Sequence, residues 1–140
     1  MTAAQVQLAD WLAALDGWST VATWTFGKQW PLGPTPEAVR YHVGRWIEDR
    51  SIAQAFYVAE AGTSGTRRWH AHGLLSLDPD FWPRQRHHSL WKSWSRRYGR
   101  CLFTPLDPNG GITRYVSKYC LKTGATEDIR WWITRDGVFD

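Results

Sequence analysis

Two neighbouring segments with a two-residue repeat constrain the fold most. Ala53 to Ala61 and Arg68 to Leu77 are rich in β-branched, aromatic and apolar residues, with the polar insert Gly62-Thr63-Ser64-Gly65-Thr66 between them. Side chains alternate between faces along a strand, and a short Gly-containing connection returns the chain antiparallel to itself. A β-hairpin is therefore expected at the centre of the chain, and everything else must pack on the sheet it starts.

The flanking segments supply that packing. Val6, Leu8, Ala9, Leu12 and Leu15 recur at helical spacing between Thr2 and Leu15, and the pattern stops at Asp16-Gly17. Ser19 to Phe26 reads as a strand, followed by a Gly/Pro-rich link over Gly27 to Pro36. Thr35 suits a helix N-cap, with Pro36 in the first turn of a helix running to about Arg50. Pro83 to Tyr98 reads as a basic helix, Arg100 to Leu106 as a short strand, Ile112 to Lys122 as a helix and Asp128 to Thr134 as a last strand. Strands interrupted by helices, with a hairpin in the middle, predict an α+β fold: one domain over residues 1–140, its antiparallel sheet of about five strands covered by helices.

Composition narrows the partners. The 140 residues carry a formal net charge of +4 with arginine far more frequent than lysine, a bias towards polyanions and bidentate phosphate contacts. There are 11 tryptophans, which mostly fill cores and in part can stack on unpaired bases. Two cysteines, Cys101 and Cys120, are too few for a disulfide framework and suit a reducing compartment. The first residues include Asp10 and Asp16 and lack the pattern of a secretion signal, and no apolar run reaches membrane-spanning length. A soluble, cytoplasmic protein is expected.

Two motifs carry chemistry. In His70-Ala71-His72 the imidazoles project from one side of a strand, about 7 Å apart, close enough to share a metal ion. Glu60, at the end of the preceding strand, is brought beside them by the hairpin. Two imidazoles and a carboxylate suit Mn²⁺ or Mg²⁺, and also Zn²⁺ or Fe²⁺. A zinc site using Cys101 or Cys120 instead of Glu60 matches no common finger spacing. His87 and His88 are adjacent on the basic helix, point apart, and are expected to make surface or backbone contacts. The second motif is Tyr115-Val116-Ser117-Lys118-Tyr119-Cys120-Leu121-Lys122, in which Tyr-x-x-Lys occurs twice, four residues apart. On a helix both phenols would share a face, with Lys118 and Lys122 one step round to neutralise a phosphate or stabilise a phenolate. A tyrosine nucleophile suits reversible phosphodiester exchange.

Taken together, the acid, the paired histidines and the late tyrosine helix resemble the HUH endonucleases, the initiators of rolling-circle replication in plasmids, phages and single-stranded DNA viruses. Thr23-Trp24-Thr25-Phe26 resembles the family's first motif, His70-Ala71-His72 its second, and Tyr115 to Lys122 its nucleophile helix, while Glu60-Ala61-Gly62 resembles the acidic residue that completes the metal site in many members. The doubled tyrosine is similar to the two-tyrosine phage and plasmid type. The resemblance implies a sheet of the HUH/RRM-like kind and a divalent metal, Mn²⁺ or Mg²⁺, held by Glu60, His70 and His72. It also implies Tyr119 or Tyr115 as nucleophile, aided by Lys118 and Lys122, and a 5′-phosphotyrosyl intermediate. Tyr119 is the preferred nucleophile, because Tyr-Cys-x-Lys followed by Gly124 resembles single-tyrosine relatives. The implied substrate is single-stranded DNA at an origin or hairpin, gripped by Arg67, Arg68, Arg96 and Arg97 with Trp91 and Trp94 as stacking faces. Host replication proteins would be further partners. Other HUH strand transfer, as in a transposase, and a non-catalytic single-strand binding module are the competing expectations. No G-x-x-x-x-G-K-[ST] stretch occurs, so no helicase is expected alongside.

Overall fold

The computed structural model describes residues 1–27, 35–50, 52–61, 69–77, 83–120, 129–135 and 138–139. Its elements, in chain order, are α1 (Ala3–Leu15), β1 (Thr20–Trp24), α2 (Pro36–Asp49), β2 (Gln54–Ala61), β3 (Trp69–Ser76), α3 (Pro83–Ser95), β4 (Cys101–Pro105), α4 (Gly111–Tyr119), β5 (Ile129–Arg135) and β6 (Val138–Phe139). The architecture is α+β, with four helices on one antiparallel sheet. Strands β4-β1-β3-β2 form the body of that sheet, and β5 and β6 continue it beyond β2, giving the order β4-β1-β3-β2-β5-β6. The expected count of about five strands is not the observed one; the short β6 carries no sequence repeat long enough to announce it. Among the described residues no helix is long and apolar enough to cross a membrane.

Local chemistry explains where the helices begin. Thr2 and Gln5 form a reciprocal capping box at the start of α1, and the Thr35 hydroxyl accepts from Ala38 N at the start of α2 with Pro36 in the first turn. Gly110 adopts the left-handed conformation ahead of α4, which glycine accepts without strain, and Gly111 packs closely beneath the Leu106 side chain.

Strand alternation splits the sheet into two surfaces. On one, α2 and α3 cover Ala22, Trp24, Ala55, Tyr57, Ala59, Ala71 and Leu75 with Val43, Trp46, Ile47, Leu90 and Trp94. Small strand residues leave room for the indoles: a Cβ on Gly73 would lie 2.8 Å from the Trp24 ring and 2.7 Å from Phe56 O. On the other surface, α1 and α4 bury Phe56, Val58 and Leu74 beneath Ala9, Leu12, Tyr115, Val116 and Cys120. Gln5 ties these two helices together by donating to Cys120 O at 2.9 Å.

Candidate metal and tyrosine site

Register brings the acid and the histidines together. In the β2/β3 hairpin Glu60 pairs with His70 and Val58 with His72, while on the other side of β3 Thr23 of β1 pairs with His72. All of these side chains point to the α1/α4 surface. Glu60 Oε1 lies 3.3 Å from His70 Nε2 and 3.5 Å from His72 Nε2. Their ligand atoms all fall within 4.8 Å of one another. Donors about 2.0–2.2 Å from one ion stand about 3–3.5 Å apart, so this triad fits a shared metal ion. Two nitrogens and one carboxylate oxygen, all partly or largely buried, are a donor set for a divalent cation.

Thr23 is a part of this site that its sequence motif did not explain. Its Oγ1 lies 3.1 Å from His72 Nδ1. With Nδ1 carrying the proton and donating to Thr23, the Nε2 lone pair is left facing Glu60, the tautomer a metal ligand needs. Alternation in the strand Ser19 to Phe26 was the available signal, but only the β1/β3 register connects Thr23 with His72.

The tyrosines, expected to address one spot together, have different places. Tyr119 is partly buried, and its ring stacks on His72 with centroids 4.0 Å apart and planes 19° apart. Tyr115 is 3% exposed, and its hydroxyl donates to His72 O at 3.1 Å. Burial, reinforced by Cys120, Tyr119 and Glu60, raises its pKa well above the usual phenol value. Tyr115 is thus positioned beneath the His72 backbone while Tyr119 borders the Glu60, His70 and His72 triad. They lie on one helix face, their rings 5.5 Å apart, but at different depths. Exposed Lys118 places its Nζ 5.2 Å from the Tyr119 ring centroid. The helix expected to run to Lys122 ends at Tyr119, with Cys120 in an extended conformation, and Lys122 lies outside the described residues.

Of the expected DNA-gripping residues, those described do not line this triad. Arg67 and Arg68 lie outside the described residues. Arg96, Arg97, Trp91 and Trp94 belong to α3 and the turn after it, on the opposite face of the sheet. Trp94 is no stacking platform: it is 0% exposed, and its Nε1 donates to Thr25 O at 2.9 Å, because α3 needs an aromatic anchor against Trp24 and Phe26. Trp91 is 46% exposed and stacks on His88. His87, expected at the surface, is instead buried with Nε2 2.8 Å from Thr20 Oγ1, and burial lowers its pKa. Both cysteines are free thiols outside the triad. Cys101 is pushed up to about 12 by burial, and Cys120 is buried at the end of α4.

No family model, curated protein or solved structure matches the chain.

Proposed function

We propose that this protein nicks and rejoins single-stranded DNA with Tyr119 as nucleophile and a divalent ion at Glu60, His70 and His72, the chemistry that initiates rolling-circle replication. The observation that carries the proposal is the stacking of Tyr119, a partly exposed phenol, on His72 beside a triad whose spacing fits one ion. Mn²⁺ or Mg²⁺ bound there would supply Lewis-acid polarisation of a phosphate oxygen.

The chain's own residues have separable tasks. The Tyr119 phenol oxygen attacks the phosphorus and gives up its proton; the P–O3′ bond breaks, and the departing oxygen takes up a proton as a free 3′-hydroxyl. The new P–O bond to Tyr119 keeps the exchange reversible, so a later attack by a 3′-hydroxyl restores the phosphodiester and frees the tyrosine. Lys118, beside the Tyr119 ring, offsets phosphate charge. Thr23 orients His72, and Tyr115 holds the His72 backbone against α4. Tyr115 as an alternating second nucleophile would require its hydroxyl to leave the His72 carbonyl.

The test mixes purified protein with labelled single-stranded oligonucleotides of varied sequence, with Mn²⁺ or with EDTA, and resolves covalent adducts on a denaturing gel. A metal-dependent adduct that disappears in Tyr119→Phe is the expected result. Binding without any adduct across a broad pool would replace this reading with a single-strand binding module.

A further inference from the structure

The α2/α3 side of the molecule carries a second polar site that strand cleavage does not use. A cleft of about 240 Å³ between the two helices is lined by Tyr41, Arg45, Trp46, Arg50, Arg97 and Tyr98 among others. Three arginines, Arg45 of α2, Arg50 at its C-cap and Arg97 in the turn after α3, line it together with one carboxylate residue, Asp49.

The positive groups are organised. Arg50 Nε donates to Ser93 Oγ at 2.9 Å and its Nη1 to Trp46 O at 3.1 Å, with the guanidinium carbon 5.0 Å from the Trp46 ring centroid. Ser93 also receives Trp46 Nε1 at 2.9 Å and donates to Leu90 O at 2.7 Å, so the network that holds α2 to α3 also fixes the direction of Arg50. Arg97 lies 5.3 Å from the Tyr98 ring centroid, and Tyr98 Oη is 3.3 Å from His42 Nδ1. Guanidinium groups restrained this way lose little entropy when they meet an oxyanion.

The cleft also has an aromatic rim. Tyr41 is 61% exposed and meets His42 edge-on, with centroids 5.2 Å apart. An exposed phenol ring at the rim of a basic cleft is a surface on which a base can stack. The volume is below the roughly 300–1,000 Å³ of typical small-molecule sites, which suits one unit of a longer ligand better than a whole cofactor.

We propose that this cleft binds one phosphodiester and an adjoining base of single-stranded DNA, with the arginines on the phosphate and Tyr41 on the base. Because it lies on the opposite face of the sheet from Glu60, His70 and His72, it holds a different segment from the one being cut. Only the identification of that DNA as the substrate strand rests on the nicking reading; binding itself does not.

The experiment measures equilibrium binding of a fluorescent single-stranded oligonucleotide to the full chain in EDTA, over a range of salt concentrations. Arg45→Ala and Arg97→Ala, at exposed positions, are expected to weaken binding about tenfold each. Each should reduce the steepness of log K against log salt by about 0.7 for a lost phosphate contact. Tyr41→Ala is expected to weaken binding at least fivefold with the salt slope unchanged, since stacking releases no counterions. Wild-type affinity and slope in all three variants would overturn the proposal. So would a nucleoside monophosphate that binds the wild type and not the variants while oligonucleotide binding is unaltered, which would make the cleft a free-nucleotide site. Absence of a Tyr119 adduct together with the expected salt slopes would reject nicking and leave the cleft standing; an adduct with unaltered slopes would do the reverse.

Discussion

The same strands present two different surfaces, and the contrast separates stability from chemistry. Facing α2 and α3, the strand residues are mostly small, Ala22, Ala55, Ala59, Ala71 and Gly73, and large rings fill the space above them: Trp24 and Trp46 meet at 5.7 Å, Trp24 and Phe103 at 6.0 Å, and Trp46 and Phe103 stack with planes 10° apart. Facing α1 and α4, the surface changes character along the strands, from Phe56, Val58 and Leu74 to His72, His70 and Glu60 at one end. The first surface buries aromatic area, whose removal from water is the larger source of stability. The second uses an apolar floor to fix a polar end, where partial burial keeps the ligand side chains from being fully solvated. Altering one should leave the other's property largely intact, and that separation can be tested.

The sharpest break is Tyr119→Phe, which removes the only atom proposed to form a bond to DNA. Covalent capture should fall by on the order of 10³-fold or more while the unfolding midpoint stays near wild type, as read by gel and by thermal melting. On the other surface Trp94→Ala should cost roughly 3–5 kcal/mol in urea unfolding, because a fully buried indole and its bond to Thr25 O are lost. Metal affinity in that variant, measured on whatever fraction remains folded, should change little. Thr23→Val keeps the strand and removes the hydroxyl beside His72 Nδ1; Mn²⁺ affinity by calorimetry should drop about 10- to 100-fold with little loss of stability.

Smaller effects refine the contrast. Tyr115→Phe should destabilise by about 0.5–1.5 kcal/mol, since one buried hydrogen bond to His72 O is lost, yet still form the adduct through Tyr119. A residual adduct in Tyr119→Phe that disappears in the Tyr115→Phe/Tyr119→Phe double variant would make Tyr115 a nucleophile as well. The smallest effect is with acid. His87 is buried and its pKa is lowered, so the unfolded chain binds its proton more readily than the folded one. The contribution of neutral His87 is therefore present above the ordinary histidine value of about 6.5 and is lost as pH falls through the lower folded value. Urea midpoints should decline between pH 7 and pH 5, less so in His87→Gln.

Much of the site was legible because its logic is local. Period-2 strands joined by a short polar connection require Glu60 and His70 to become neighbours, and His70-x-His72 requires one shared side, whatever the rest of the chain does. Helix starts were legible for the same reason: Thr2 and Thr35 cap helices through bonds to residues three positions away. What local pattern left open was decided by contacts between segments distant along the chain. Helical spacing puts Tyr115 and Tyr119 on one face but is silent on depth: Tyr115 is buried against Phe56, while Tyr119, packed on His72, stays partly exposed. The basic helix with interspersed tryptophans, read as a DNA grip, packs on the opposite face of the sheet from the triad, with Trp94 anchored in the core, and no local periodicity shows either placement.

By itself the sequence determined the antiparallel hairpin, the α+β class and the Glu60, His70 and His72 cluster, since these follow from alternation and short-range pairing. Only the tertiary structure decided that Thr23 lies beside His72 Nδ1, that Tyr115 and Tyr119 sit at different depths, and that Arg45, Arg50 and Arg97 line one cleft behind the sheet. Each of these depends on which strand lies beside β3 and which helices cover which face, contacts made between segments tens of residues apart that no local periodicity encodes.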